Sequence, residues 1–122
     1  MIFKIHDDVY GRDFIIALAE TDRRILAAFK RHGYDLDDEF KSIMVVEGSG
    51  RTVLDPETGA HMVRLKDPIK NAEDVAILVH ELTHATVQVF GIIGLPINTE
   101  SDEAFAYYIQ YLTRTCLEKI GG

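Results

Sequence analysis

The sequence carries one cysteine, Cys116, so no internal disulfide can form, and a reducing compartment is the expectation. It is also short of positive charge. Thirteen Lys and Arg stand against twenty Asp and Glu, a net charge of −7. Nucleic acid is therefore not expected as a partner, because phosphate binding draws on a basic patch. The first residues, Met1-Ile2-Phe3-Lys4-Ile5-His6, contain no long apolar run of the secretory kind, and no uninterrupted apolar stretch approaches the length of a bilayer span. A cytoplasmic chain without a membrane partner is the expectation. Internal repeats, low-complexity tracts and linkers are missing too. With 122 residues, 47% of them hydrophobic and 27% charged, the chain reads as a single globular domain over 1–122. That length buries an ordinary core without covalent help.

What is present centres on His80-Glu81-Leu82-Thr83-His84. On a helix, two histidines four apart share a face and can chelate one Zn²⁺. A glutamate beside the first can act as base toward a water that the ion polarises. The surroundings predict that helix. Asn71 followed by Asp74 reads as an N-cap with its capping-box partner, Glu73 and Asp74 put negative charge in the first turn, and Val75-Ala76-Ile77-Leu78-Val79 leads into the motif. Gly91 is the predicted stop, near Phe90.

The remaining elements follow from periodicity. Residues 1–6 alternate weakly and predict a short strand. Phe14, Ile15, Leu18, Ile25, Leu26 and Phe29 fall at helical spacing between Asp13 and Arg31, with Gly33 as a stop. Ser42 to Glu47 predicts a buried strand, Arg51 to Leu54 a short extended piece, and Ala60 to Leu65 a third strand after the turn Asp55-Pro56-Glu57-Thr58-Gly59. In that strand His61, Val63 and Leu65 lie on one side and Met62 and Arg64 on the other. Thr99 or Ser101 caps a last helix running to about Lys119. The expected fold class is α+β: a small antiparallel sheet, an N-terminal helix, the motif helix and a C-terminal helix.

A catalytic zinc site uses three protein ligands and leaves one position open. A metzincin would place a glycine and then a ligand histidine within six residues after the second motif histidine, but Val87 and Phe90 occupy those positions. Further on, Ser101-Asp102-Glu103-Ala104-Phe105-Ala106 opens the last helix with two acids, and eighteen residues separate His84 from Glu103. A last helix folded back over the motif helix would bring that carboxylate to the imidazoles, with Asp102 as the alternative ligand.

His-Glu-x-x-His, that gap, and then Glu within Asp-Glu-Ala-Phe-Ala resembles the gluzincins, whose aminopeptidase branch reads Asn-Glu-Gly-Phe-Ala there. The small size resembles minimal gluzincins and the compact zincin-like proteins of phages and prophages. The resemblance spans about residues 40–119 and rests mainly on the two helices. It implies a zincin-like fold and a peptidase with one Zn²⁺ held by His80, His84 and Glu103, with Glu81 as general base. It also implies a peptide or protein substrate lying as an added strand along Ala60–Leu65, with His61, Met62 and Val63 as contacts. Asp102 would orient His84. Where the family often carries Asp one turn after the ligand Glu, this chain has Tyr107, a candidate for contacting His80 or stabilising an oxyanion. Larger gluzincins add a C-terminal domain that walls the cleft, and nothing after Lys119 supplies one. A second expectation is therefore a zinc-binding structural or interaction protein of the phage or prophage kind, with little proteolysis.

Overall fold

The computed structural model describes residues 1–121 and has α+β architecture. In chain order the elements are β1 (Ile2–His6), β2 (Asp13–Leu18), α1 (Asp22–Arg31), α2 (Asp38–Ile43), β3 (Gly50–Leu54), β4 (Ala60–Leu65), α3 (Ala72–Ile93) and α4 (Asp102–Gly121). The four strands form one sheet in the order β1-β2-β4-β3. β1/β2 and β3/β4 pair antiparallel, whereas β2 and β4 are parallel, from Asp13 opposite Ala60 to Leu18 opposite Leu65. The sheet is therefore mixed, not the expected antiparallel meander.

Helices cover both faces. Phe14, Ile16, Leu18, Val63 and Leu65 point toward α3 and α4, where they meet Leu78, Leu82, Val89, Phe90, Tyr108 and Leu112. Ile15, Ala17, Ala60, Met62 and Val53 point the other way, to Ile25, Phe29, Phe40 and Met44 of the α1–α2 side. Successive strand residues thus alternate between two cores, as the period of two requires.

This arrangement corrects the expected helix over 13–31. Phe14 to Leu18 are all buried because β2 is an inner strand covered on both faces. Such an apolar run matches helical spacing as well as strand spacing, so periodicity alone does not separate the two. The chain leaves the strand through Ala19, at φ 56°, and Thr21 then caps α1 by accepting from the Arg24 amide. The expected strand at 42–47 is also replaced. Asp37 caps the short helix α2 through the Phe40 amide, only Phe40 and Met44 of this region are buried deeply, and Val45 is exposed.

The sequence reading of α3 holds at its start, where the Asn71 side chain accepts from the Asp74 amide. At its end the helix passes Gly91 and stops at Gly94, which takes the left-handed conformation with φ 73°. The amides of Gly94 and Leu95 both return to the Phe90 carbonyl. Over an 18-residue window α3 reaches a mean hydropathy of 1.4, long and apolar enough by composition to cross a membrane, which the count of unbroken apolar residues did not anticipate. Here Leu78, Leu82, Val89 and Phe90 of α3 are buried against the sheet and α4. Each such side chain contributes about 1.5–3 kcal/mol relative to exposure. At α4, Ser101 sits just before the first turn, with its carbonyl accepting from the Phe105 amide. Its hydroxyl turns back into the preceding loop, donating to the Pro96 carbonyl and accepting from the Asn98 amide.

Candidate metal and hydrolytic site

α3 buries one side and exposes the other, and the motif straddles the boundary. Leu78, Leu82, Ala85 and Val89 face the core, while His80 and His84, rotated to the far side of the helix, are exposed. Their Nε2 atoms lie 3.2 Å apart and their ring centroids 4.9 Å apart. Two nitrogens bound to one tetrahedral zinc at ~2.05 Å would stand about 3.3 Å from each other. The pair therefore fits two corners of a zinc site.

Glu81 is the boundary residue. It is buried at the junction of α3 and β3, with Oε1 accepting from the Thr52 hydroxyl at 2.8 Å. The same hydroxyl lies 3.0 Å from the Glu81 backbone carbonyl. Oε2 lies 3.9 Å from His80 Nε2. Gly50 supplies the space: a methyl group there would be 2.8 Å from Glu81 Cγ and 3.1 Å from the Arg64 carbonyl oxygen. A shallow cleft of about 410 Å³ opens here, lined by Gly50, Thr52, His80, Glu81, His84 and Gln88 among others. Gly50 and Thr52 belong to β3, an edge strand with β4 on one side only.

The expected third donor is not brought to this pair. Among the described residues, no three His, Cys, Asp or Glu side chains gather as a metal-holding group. The reason is the face that α4 turns inward. It buries Tyr108, Leu112 and Cys116, and at about 100° per residue Glu103 falls nearly opposite that stripe. Glu103 and Asp102 are accordingly exposed, and neither lines the cleft beside the histidines. α4 meets α3 through Phe90, packed on Phe105 and Tyr108 at 5.4 and 6.4 Å, not through the histidine face. Tyr107 is 63% exposed and also lies outside the cleft lining. Ligation by Glu103, orientation of His84 by Asp102 and oxyanion binding by Tyr107 thus have no geometric support in this arrangement.

The expected substrate contacts are corrected as well. His61, Met62 and Val63 are fully buried because β4 is an inner strand, between β2 and β3. The alternation predicted for that strand is observed, but the exposed edge beside the motif helix is β3. His61 instead lies under the cleft, its Nδ1 3.2 Å from Gln88 Oε1 and its Nε2 receiving the Arg12 Nε–H at 3.3 Å. Burial pushes its imidazole down to about 4.

Sequence reasoning missed Gly50, Thr52 and Gln88. The first two reach Glu81 only through the packing of β3 on α3, which no local pattern announces. Gln88 had a signal, since it follows His84 by one turn on the same side of the helix. No protein-family model matches the chain, and neither a curated protein nor a solved structure does so.

Proposed function

We propose that this chain is a zinc-dependent peptidase of gluzincin-like kind on a zincin-like scaffold, with His80 and His84 holding one Zn²⁺ and Glu81 as general base. The observation that carries the reading is the imidazole pair, with Nε2 atoms 3.2 Å apart on an exposed helix face, next to a carboxylate kept buried by Thr52. A buried carboxylate costs free energy unless it is satisfied, and a purely structural pair of histidines has no need of one beside it.

Bound there, Zn²⁺ would supply a Lewis acid acting on a water and on the scissile carbonyl. Thr52 occupies Glu81 Oε1, which leaves Oε2, on the side of His80, to take a proton from a water in the cleft and return it to the leaving amine. The absence of a side chain at Gly50 keeps that carboxylate in place. A peptide would pair with the free edge of β3 as an added strand, offering the carbonyl beside it to the site. With a net charge of −7, the partner is a peptide or protein rather than nucleic acid.

One observation favours a second reading. The missing third carboxylate gives the site two protein donors among the described residues, one fewer than catalytic zinc sites use. A zinc-binding interaction protein, of the kind found in phages and prophages, would tolerate that deficit. Two measurements on the purified chain separate the readings. Metal analysis is expected to give one zinc per chain, lost in His80→Ala and His84→Ala and retained in Glu81→Gln, Glu103→Ala and Asp102→Ala. Cleavage of a peptide library is expected from the wild type and to fall at least about a hundredfold in Glu81→Gln. Equal cleavage by both forms removes the peptidase reading, and zinc binding without any cleavage selects the interaction protein. Loss of zinc in Glu103→Ala would restore that residue as a ligand.

A further inference from the structure

Under the cleft runs a chain of three polar side chains that the proposed chemistry does not use. Arg12 anchors it, donating from Nη2 to the Gly59 carbonyl at 2.8 Å and from Nε to His61 Nε2 at 3.3 Å. His61 is wholly buried and stacked on Phe14, with ring centroids 4.8 Å apart. A guanidinium has donors and no acceptor, so the Nε2 it faces must be the bare nitrogen of a neutral imidazole. The ring proton is then on Nδ1, which faces Gln88 across 3.2 Å. An N–H in that position can be met only by the amide oxygen, and this fixes which way the Gln88 amide is turned. Its NH₂ group is then turned away from the ring, in a half-buried side chain that lines the cleft beside His84, and its two donors are free to meet a ligand there.

We infer that Gln88 is a substrate-binding residue, whose amide N–H receives a backbone carbonyl of a peptide lying along the cleft, with His61 and Arg12 as positioning residues that hold the amide in that sense. The inference rests on the peptidase reading and adds to it the group that recognises the peptide backbone. On the helix side of the cleft Val87 is apolar and the imidazoles are directed at each other, so Gln88 is the amide donor that α3 presents opposite the free edge of β3.

The test uses the full chain loaded with zinc and two probes. Acetohydroxamate binds a metal but offers no peptide backbone, and an N-acetylated dipeptide hydroxamate offers both. The dipeptide probe is expected to bind the wild type more tightly than acetohydroxamate and to shift the Gln88 side-chain ¹⁵N–H₂ resonances. Gln88→Leu is expected to weaken the dipeptide probe by about tenfold, the worth of one hydrogen bond, while acetohydroxamate and zinc bind as before. Gln88→Glu, which offers no donor and keeps a polar side chain in case the leucine disturbs folding, is expected to weaken it at least as much. The ¹⁵N shifts of His61 are expected to report Nδ1–H at neutral pH. Unmoved Gln88 resonances, equal dipeptide affinity in wild type and both variants, or an Nε2–H tautomer overturns the assignment of Gln88 and leaves the peptidase reading standing. A wild type that binds neither hydroxamate overturns that reading and this inference with it.

Discussion

At Gly50 an added methyl group would press on Glu81 Cγ from one side and on the Arg64 carbonyl from the other, at 2.8 and 3.1 Å. The carbonyl belongs to the β3/β4 ladder and cannot give, so Glu81 must move. Gly50→Ala is expected to cost about 1–3 kcal/mol by overcrowding and to lower peptide cleavage, with urea unfolding and initial rates as the two readouts. Thr52 acts on the same carboxylate by hydrogen bonding. Thr52→Val removes the donor to Oε1 without changing shape and leaves a buried carboxylate under-satisfied, an expected loss of about 1–3 kcal/mol. Thr52→Ser keeps the hydroxyl and is expected to recover most of that stability; an equal loss in both variants would mean that packing of the Thr52 methyl matters and the hydrogen bond does not. At this scale the sequence made His80, Glu81 and His84 legible, because four-residue spacing on a helix is a local property. Gly50 and Thr52 come from thirty residues earlier and were not legible.

Among the elements, the two ends of α3 differ in how local their causes are. Asn71 caps the start through an amide three residues on, an interaction encoded within one turn. Asn71→Ala is expected to lower stability by about 1 kcal/mol. The end was ambiguous, since Gly91 and Gly94 are both competent stops. Gly94 is selected because there the chain turns left-handed and returns two amides to Phe90, the residue that docks α4. A methyl group at Gly94 would touch nothing within 4 Å, so Gly94→Ala isolates the backbone strain of a positive φ, about 1 kcal/mol. Gly91→Ala, within the helix, is expected to be neutral or stabilising, and opposite signs in urea titrations would verify the assignment. β2 shows the contrary case, an element whose type is set from outside. Phe14 to Leu18 would suit a buried helix, and parallel pairing with β4 fixes them as a strand.

Across the whole molecule, the sheet with helices on both faces buries His61 and thereby links stability to pH. In the unfolded chain this imidazole titrates near 6.5, whereas burial holds it to about 4 in the folded protein. Between those values the unfolded state takes up a proton that the native state refuses. Stability is therefore expected to be fully present above about pH 6.5 and to fall as pH drops toward 4, by roughly 3 kcal/mol from this residue alone. Urea unfolding over that window is expected to show a steeper decline for the wild type than for His61→Gln, and parallel curves would refute the link. The sequence by itself determined the motif helix, its N-cap, the alternation in β4 and the α+β class, because each depends on residues a few positions apart and on a period of 2 or 3.6. Tertiary structure alone decided the strand order, the exposed edge at β3 and the outward direction of Glu103. Those depend on which face each element buries against a distant partner, and for α4 burial of the apolar stripe of Tyr108, Leu112 and Cys116 leaves Glu103 on the opposite side.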